Sequence, residues 1–170
     1  GGRKPIMLTF NGKAALTLSL DIAPNYVEGL IAYIDGKVLY ESKIRGIKVS
    51  SDNVLAYITE MVEKLTQHAA ETPHGITGVC IAIHGLVNQE EIIFTPNYTL
   101  QSDLKSQLEE MYPFYVYLEN EANLAALGEY TFGSISDSVV SLSIHTGIGA
   151  GIVENGKLRT GKKGIAGEIG

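Results

Sequence analysis

The chain has 170 residues, 45% hydrophobic and 19% charged, a balance that is ordinary for a globular domain and argues against disorder. The net charge of −6 and the pI of about 5.2 argue against a nucleic-acid-binding surface within this segment. A single cysteine precludes an internal disulfide, and no apolar run approaches the roughly 18 residues that span a membrane. We therefore expect a cytoplasmic location and no membrane partner.

The beginning of the chain predicts three antiparallel strands. Apolar and polar residues alternate over 15–22, and a second strand is expected over 27–34. Asp35-Gly36 is a strong hairpin signal, and the return strand is expected over 37–44.

Helices and strands alternate in the middle of the chain. Asp52 and Ser102 are plausible N-caps. The nearly continuous apolar run at 75–85, with Cys80 as a small buried residue, is typical of a strand covered on both faces. A new set of strands begins near residue 137, so the order predicts a mixed α/β sheet and the start of a second lobe. The expected helices are 52–70, 102–112 and 121–132, and the expected strands are 75–85 and 114–120. The segment 90–97 is expected to be a short strand that leads into a loop.

A glycine-rich turn lies in the last strand pair, in the segment "LSIHTGIGAGI". Thr146 opens the turn, and Gly147 and Gly149 would let backbone N–H groups approach an anion such as a phosphate. The simpler alternative is pure turn geometry, because a GxG pattern alone is a weak signal.

Four segments, in order, resemble the ROK family, whose name joins repressors, open reading frames and sugar kinases. "GRKPIMLTFN" at 2–11 is similar to the linker that follows a DNA-binding winged helix in the repressor branch. "ENEANLAALGE" at 119–129 resembles the start of the sugar-site helix, and the segments at 145–158 and 161–170 resemble the signature of the second lobe.

The resemblance implies an actin-like, ribonuclease-H-like sugar-kinase fold with the sugar between two lobes. It divides the chain into a linker over 1–14, a first lobe over 15–136 and the truncated start of a second lobe over 137–170. We expect a fragment of a longer protein, with no cofactor in this segment. The resemblance also implies a possible structural zinc site, which would follow residue 170.

The same resemblance implies two phosphate loops in family kinases, and the first one is altered here. Its pattern is Asp-x-Gly-x-Thr. This chain keeps Asp21 but has Ala23, Pro24 and Asn25 where the glycines and threonine are expected. Pro24 removes an N–H and fixes its own φ. The second loop survives as Thr-Gly-Ile-Gly over 146–149, so we expect a degenerate nucleotide site.

The family's sugar-binding Asn-Asp pair corresponds here to Asn120 and Glu121. In family kinases the aspartate also acts as the general base. The longer glutamate side chain favours binding over turnover, because catalytic placement tolerates little error. "ENEAN" resembles the xylose-repressor branch. The alternative interpretation is that both residues only cap the following helix.

Other sugar-site residues are implied by the family pattern. Glu168 in "AGEIG" matches a glutamate that binds sugar hydroxyls, Gly85 could bring its backbone close to the sugar, and Asn97 matches a sugar-contacting loop. The alternatives are a solvated carboxylate for Glu168 and a simple turn at Asn97. His84 replaces a family proline, and we expect it to be a structural histidine. An aromatic residue that often follows the Asn97 loop is missing unless Tyr98 substitutes.

These features favour a catalytically inactive, sugar-sensing effector domain of a transcriptional repressor, induced by xylose or a related aldose. It would bind operator DNA through a missing N-terminal domain and form a homodimer or homotetramer. One alternative is an ATP-dependent sugar kinase with an atypical first phosphate loop. The other is an inert paralogue that only mediates oligomerisation.

Overall fold

The computed structural model describes residues 11–132, 138–144, 148–154 and 157–159. It confirms the mixed α/β architecture. The helices are α1 Val54–Thr66, α2 Leu104–Met111 and α3 Glu121–Phe132. The strands are β1 Leu16–Ile22, β2 Tyr26–Tyr33, β3 Val38–Arg45, β4 Ile76–Ile83, β5 Leu86–Asn88, β6 Glu91–Phe94, β7 Tyr115–Asn120, β8 Ser138–Ile144, β9 Ile148–Glu154 and β10 Lys157–Leu158.

The main sheet has five strands in the order β3-β2-β1-β4-β7. β1, β2 and β3 pair antiparallel, as the Asp35-Gly36 hairpin signal predicts, whereas β1–β4 and β4–β7 are parallel. In register, Ile22 at the end of β1 pairs with Ile83, and Ile83 pairs with Asn120. The carboxyl ends of three parallel strands therefore meet at one edge of the sheet.

The hydrophobic core lies between one sheet face and the helices α1 and α2. Fully buried side chains of α1 and α2, including Met61 and Leu108, pack with the buried side chains of the strands. The alternating pattern of β1 places its apolar side chains in this core. Helix α3 contacts β7, β8 and β9 instead.

The two faces of β4 are covered to different extents, and the expected buried cysteine is only partly buried. Val79 and Ile81 are buried in the core, whereas Cys80 is only partly buried and, like Ala82, lines a cavity of about 530 Å³. The reason is that successive strand side chains point to opposite faces. The second face of β4 is apolar because it borders this cavity, which Leu124 of α3 also lines.

The two predicted helix caps are wrong. Asn53, not Asp52, precedes α1, and its side chain bonds the Ser50 N–H and the Lys48 carbonyl instead of the helix N–H groups. Asp103, not Ser102, precedes α2 without a side-chain cap bond. Both helices are shorter than the periodicity predicts, because the apolar spacing continues into residues that form turns.

The short strand predicted within 90–97 is confirmed as β6, which is followed by a bend and forms half of a hairpin that the sequence did not predict. β5 and β6 pair antiparallel, and the turn between them places Gln89 and Glu90 in the left-handed region, with φ of 50° and 63°. Neither residue type signals such a turn, so the sequence does not reveal β5.

The predicted second set of strands is confirmed as a three-stranded antiparallel sheet in the order β10-β9-β8. Among the described residues, no helix has both the length and the hydrophobicity needed to span a membrane.

Candidate functional site

A cluster of polar side chains lies where the parallel strands of the main sheet end. Asp21 lies near the end of β1, His84 follows β4, and Glu121 follows β7. His84 Nε2 lies 2.6 Å from Asp21 Oδ1, and His84 Nδ1 lies 4.0 Å from Glu121 Oε2. The first distance is a hydrogen bond, whereas the second is too long for one and leaves a charge interaction. We call these three residues the carboxylate–histidine cluster.

Two tyrosines hold this cluster in place. Tyr26 donates its hydroxyl hydrogen to Asp21 Oδ2 at 2.9 Å. Tyr98 accepts the backbone N–H of His84 at 3.1 Å and donates to the carbonyl of Ile22 at 2.5 Å. Tyr98 therefore joins the ends of β1 and β4, a role that the sequence left open.

Both phenols remain protonated donors over the physiological pH range. Burial and the charge of Asp21 raise the pKa of Tyr26, and burial raises the pKa of Tyr98 despite the opposing hydrogen bond from the backbone of His84. Each carboxylate oxygen of Asp21 therefore has a hydrogen-bond partner within the protein: Tyr26 at Oδ2 and His84 at Oδ1.

The electrostatic environment of His84 favours its charged form. Burial lowers the pKa of His84, but the hydrogen bond to Asp21, the charge of Asp21 and the charge of Glu121 outweigh it, so the net shift is upward. The sequence predicts a structural histidine at His84 but does not reveal its position between two carboxylates. The available signal was that Asp21 and His84 lie near the ends of predicted strands and that Glu121 follows another predicted strand.

Asn120 makes the contacts of a helix cap. Its Oδ1 accepts the backbone N–H groups of Ala122 and Asn123, at 2.9 and 3.2 Å. Its Nδ2 donates to the Gly85 carbonyl at 2.7 Å. The capping alternative therefore describes the geometry of Asn120. Glu121 lies in the first turn of α3, where the helix dipole favours its negative charge.

Gly85 lies in the tight connection between β4 and β5. A Cβ atom at this position would lie 2.3 Å from the Phe94 carbonyl oxygen and 2.9 Å from the Thr95 methyl group. Only glycine permits this close approach of two backbone segments. Asn97 follows in an exposed bend of the same region, next to Tyr98.

The β1–β2 turn, which corresponds to the first phosphate loop of family kinases, is folded onto the protein. The Ala23 N–H donates to the Tyr26 carbonyl at 3.0 Å, and the Val49 N–H donates to the Pro24 carbonyl at 2.9 Å. Ala23 is 1% exposed. Because proline has no N–H and the Ala23 N–H is used, neither residue presents a free donor to a phosphate.

Several predicted site residues fall outside the residues that the structure describes. Thr146, Gly147 and Glu168 are among them, whereas Gly149 lies in β9. In the described part of the chain, no group of three or more histidine, cysteine, aspartate or glutamate side chains is arranged to hold a metal ion. The 530 Å³ cavity is lined by Asp21 but not by Asn120 or Glu121, so it is separate from most of the predicted sugar site.

Comparison with known proteins decides the family. The ROK family model matches residues 17–170. The chain belongs to the ROK family. The fold is likewise that of the ROK sugar kinases and repressors, with part of the complete fold present.

Relatives include both repressors and kinases. The xylose repressor of Bacillus subtilis is 35% identical over 175 residues, which cover 100% of this chain and 45% of that protein. A ROK family transcriptional regulator, a homologue of the Escherichia coli MLC protein, superposes with a TM-score of 0.81 at 30% identity, covering 94% of this chain and 42% of the other.

A ROK family glucokinase from Streptomyces griseus, in complex with glucose and AMPPNP, superposes with a TM-score of 0.79 at 29% identity, covering 91% of this chain and 49% of that chain. This chain thus spans less than half the length of each of these relatives.

Proposed function

We propose that this chain is the sugar-sensing effector region of a ROK-type transcriptional repressor, with xylose or a related aldose as inducer and without kinase activity. The observation that carries the proposal is the closed β1–β2 turn. It offers a phosphate no N–H from Ala23 or Pro24, while both oxygens of Asp21 are held by Tyr26 and His84. The 35% identity to a xylose repressor over the whole chain supports the same function.

The proposed sugar site is the edge of the main sheet beside the start of α3. Glu121 supplies a carboxylate that accepts sugar hydroxyls, and Glu168 would supply a second carboxylate from the other lobe. Hydrogen bonds to charged groups are each worth about 1.5–3 kcal/mol. The proposed contacts are Gly85, Asn97, Asn120, Glu121 and Glu168.

Asn120 combines a structural role with its proposed binding role. Its Oδ1 caps α3, and the same amide is tied to Gly85. Asn120 therefore fixes the start of the helix, and with it the position from which Glu121 reaches the sugar.

Regulation would follow from the two-lobed arrangement. We divide the chain into a linker over 1–14, a first lobe over 15–136 and the start of a second lobe over 137–170. A sugar that touches both lobes favours the closed arrangement, because only that arrangement makes both sets of contacts. Coupling of this kind is typically worth about 1–3 kcal/mol. That energy would release operator DNA from an N-terminal DNA-binding domain of the homo-oligomer.

The second candidate is an ATP-dependent sugar kinase, favoured by the likeness to a glucokinase solved with glucose and AMPPNP. It requires Glu121 to act as the general base at the position of the family's aspartate. It also requires the β1–β2 turn to open toward a nucleotide.

The test uses the full-length protein, an operator DNA fragment and a panel of aldoses that includes xylose. Glu121→Ala should abolish release of DNA by sugar and leave DNA binding without sugar intact. Glu110→Ala, at an exposed glutamate of α2, is the matched control and should respond like the wild type. If Glu121→Ala still releases DNA at the wild-type sugar concentration, Glu121 acts only at the helix terminus.

A kinase assay separates the two candidate functions. Wild type and Glu121→Asp, the variant that restores the kinase-like residue, should both release no ADP from Mg-ATP with any aldose. Turnover near the typical enzyme value of about 10 s⁻¹ would establish the kinase instead.

A further inference from the structure

Tyr98 is the residue that fastens the loop over 95–98 to the main sheet. Its hydroxyl accepts the backbone N–H of His84 at 3.1 Å and donates to the carbonyl of Ile22 at 2.5 Å. These bonds span 14 and 76 residues of sequence, so one phenol joins this loop to the ends of β1 and β4. The ring also packs against the hydrophobic core, and a closely packed ring leaves its hydroxyl few alternative positions.

The same loop is bonded to itself and packs on Gly85. The Thr95 hydroxyl donates to the backbone carbonyl of Tyr98, so this bond closes a short turn that contains Asn97. A Cβ atom at Gly85 would lie 2.9 Å from the Thr95 methyl group and 3.1 Å from the Thr95 Cα. Both ends of the turn that contains Asn97 therefore contact the connection that follows β4.

That connection is bonded in turn to the start of α3. The Gly85 carbonyl accepts a hydrogen bond from Asn120 Nδ2 at 2.7 Å, and Asn120 Oδ1 accepts two N–H groups of the first helical turn. The 95–98 loop is thus connected, through the adjacent residues His84 and Gly85, to the residue that precedes Glu121. Four of the five proposed sugar contacts lie on or next to this path.

We propose that Tyr98 is a positioning residue for the sugar site, where its phenol sets the place of Asn97 relative to Gly85 and Asn120; this inference rests on the proposed function. Tyr98 acts in this role without touching the sugar. The two bonds of its hydroxyl hold the loop in the arrangement in which Asn97 and Gly85 reach the same ligand. Less conformational freedom is then lost when the sugar binds.

The first test compares Tyr98→Phe with the wild type in the full-length protein, by calorimetric titration with xylose and related aldoses. The substitution keeps the ring and removes both bonds of the hydroxyl. The dissociation constant should rise about three- to tenfold, the range that corresponds to one neutral hydrogen bond to the ligand. Tyr112→Phe is the matched control, because its hydroxyl lies 3.5 Å from Thr59 Oγ1, between α1 and the end of α2. It should bind sugar like the wild type.

A double-mutant cycle shows whether Tyr98 acts through Asn97. Asn97→Ala removes the amide that the loop would present to the sugar. If Tyr98 works by placing that amide, the double variant should bind sugar no more weakly than Asn97→Ala alone, although it should still be less stable. Independent effects, in which the two ratios of dissociation constants multiply, would overturn the positioning role, because a purely structural tyrosine has no reason to depend on the Asn97 side chain.

A second variant decides the question if Tyr98→Phe does not fold. Thr95→Val removes the bond that closes the turn around Asn97 and leaves the Tyr98 hydroxyl in place. Its dissociation constant should also rise, and the rise should disappear in the Asn97→Ala background. An unchanged dissociation constant in Thr95→Val would contradict the inference, since the loop would then need no fixed arrangement.

The outcomes distinguish this inference from the proposed function. If the wild type binds an aldose and Tyr98→Phe binds it with the same dissociation constant, the positioning role is wrong and sugar sensing stands. If the wild type binds no aldose, the proposed function fails and the inference fails with it.

Discussion

Two connections leave the same edge of the main sheet, and they differ in what they offer a ligand. The β1–β2 turn uses its own polar groups, with the Ala23 N–H and the Pro24 carbonyl bonded inside the protein. At the β7–α3 junction, Asn120 satisfies the helix N-terminus and Glu121 presents a carboxylate beside His84. The first connection presents no free N–H from Ala23 or Pro24, whereas the second presents a carboxylate, a group that accepts hydrogen bonds from hydroxyls.

Under the proposed function, this difference separates binding from catalysis within one fold. A kinase needs both connections, because the nucleotide and the sugar must meet. A sensor needs only the second, since differential binding of the sugar suffices to shift a conformational equilibrium. Under the proposed function, Ala23, Pro24 and Asn25 fall on the connection that a sensor does not need.

The largest loss of stability should come from Gly85→Ala. The Gly85 carbonyl accepts the hydrogen bond from Asn120 at the β7–α3 junction, so a shift of this backbone disturbs the junction. The added Cβ would lie 2.3 Å from the Phe94 carbonyl oxygen, so the backbone must shift. We expect a loss of about 3 kcal/mol in the free energy of unfolding, the upper range for overpacking, measured by urea denaturation.

Gly46→Ala is the control for this substitution. Its Cβ meets nothing within 4 Å, although its φ is +68°, so the cost should be only about 1 kcal/mol for the left-handed backbone. Equal losses in the two variants would show that the close approach at Gly85 is relieved without cost.

A smaller effect is expected from Asn120→Ala, which removes the cap of α3 and the bond to Gly85. Loss of an N-cap costs up to about 2 kcal/mol, and thermal denaturation would detect it. Asn25→Ala, at an exposed asparagine in the β1–β2 turn, should change stability by less than about 0.5 kcal/mol. A stable Asn120→Ala protein that no longer binds sugar would instead mean that the amide acts mainly on the ligand.

Local patterns predict much of this architecture. Alternation in β1 and the Asp35-Gly36 turn each depend on neighbours in sequence, and both are confirmed. The predicted N-cap at Asp52 is wrong, because Asn53 is the residue that precedes α1. The Asn53 side chain bonds the preceding loop and not the helix, and this contact depends on how that loop folds.

The candidate site is less predictable, because its contacts join distant parts of the chain. The bond between His84 and Asp21 spans 63 residues. Composition and periodicity carry no information about such a pair until the strand order brings β1 and β4 together. The resemblance to a family pointed to Asn120 and Glu121, but that pattern has proline where His84 stands, and so it did not reveal the histidine.

The smallest loss of stability is expected from Tyr26→Phe, which tests the β1–β2 turn. The substitution keeps the ring packed against His84 and removes only the hydroxyl that binds Asp21 Oδ2 at 2.9 Å. Because the Asp21 side chain is 30% exposed, water can replace the lost donor, and the cost should be no more than about 1 kcal/mol.

The matched control is Tyr57→Phe, at a tyrosine of α1 that packs against the core; it should cost less than Tyr26→Phe in the same thermal denaturation experiment. Tyr26→Phe should also release no ADP from Mg-ATP with any aldose, because the Ala23 N–H stays bonded within the turn and Pro24 has none to offer. Sugar-dependent ADP release by this variant would mean that the tyrosine hydroxyl alone keeps the turn closed. The difference between the two connections would then lie in one side-chain hydrogen bond and not in the backbone hydrogen bonds of the turn.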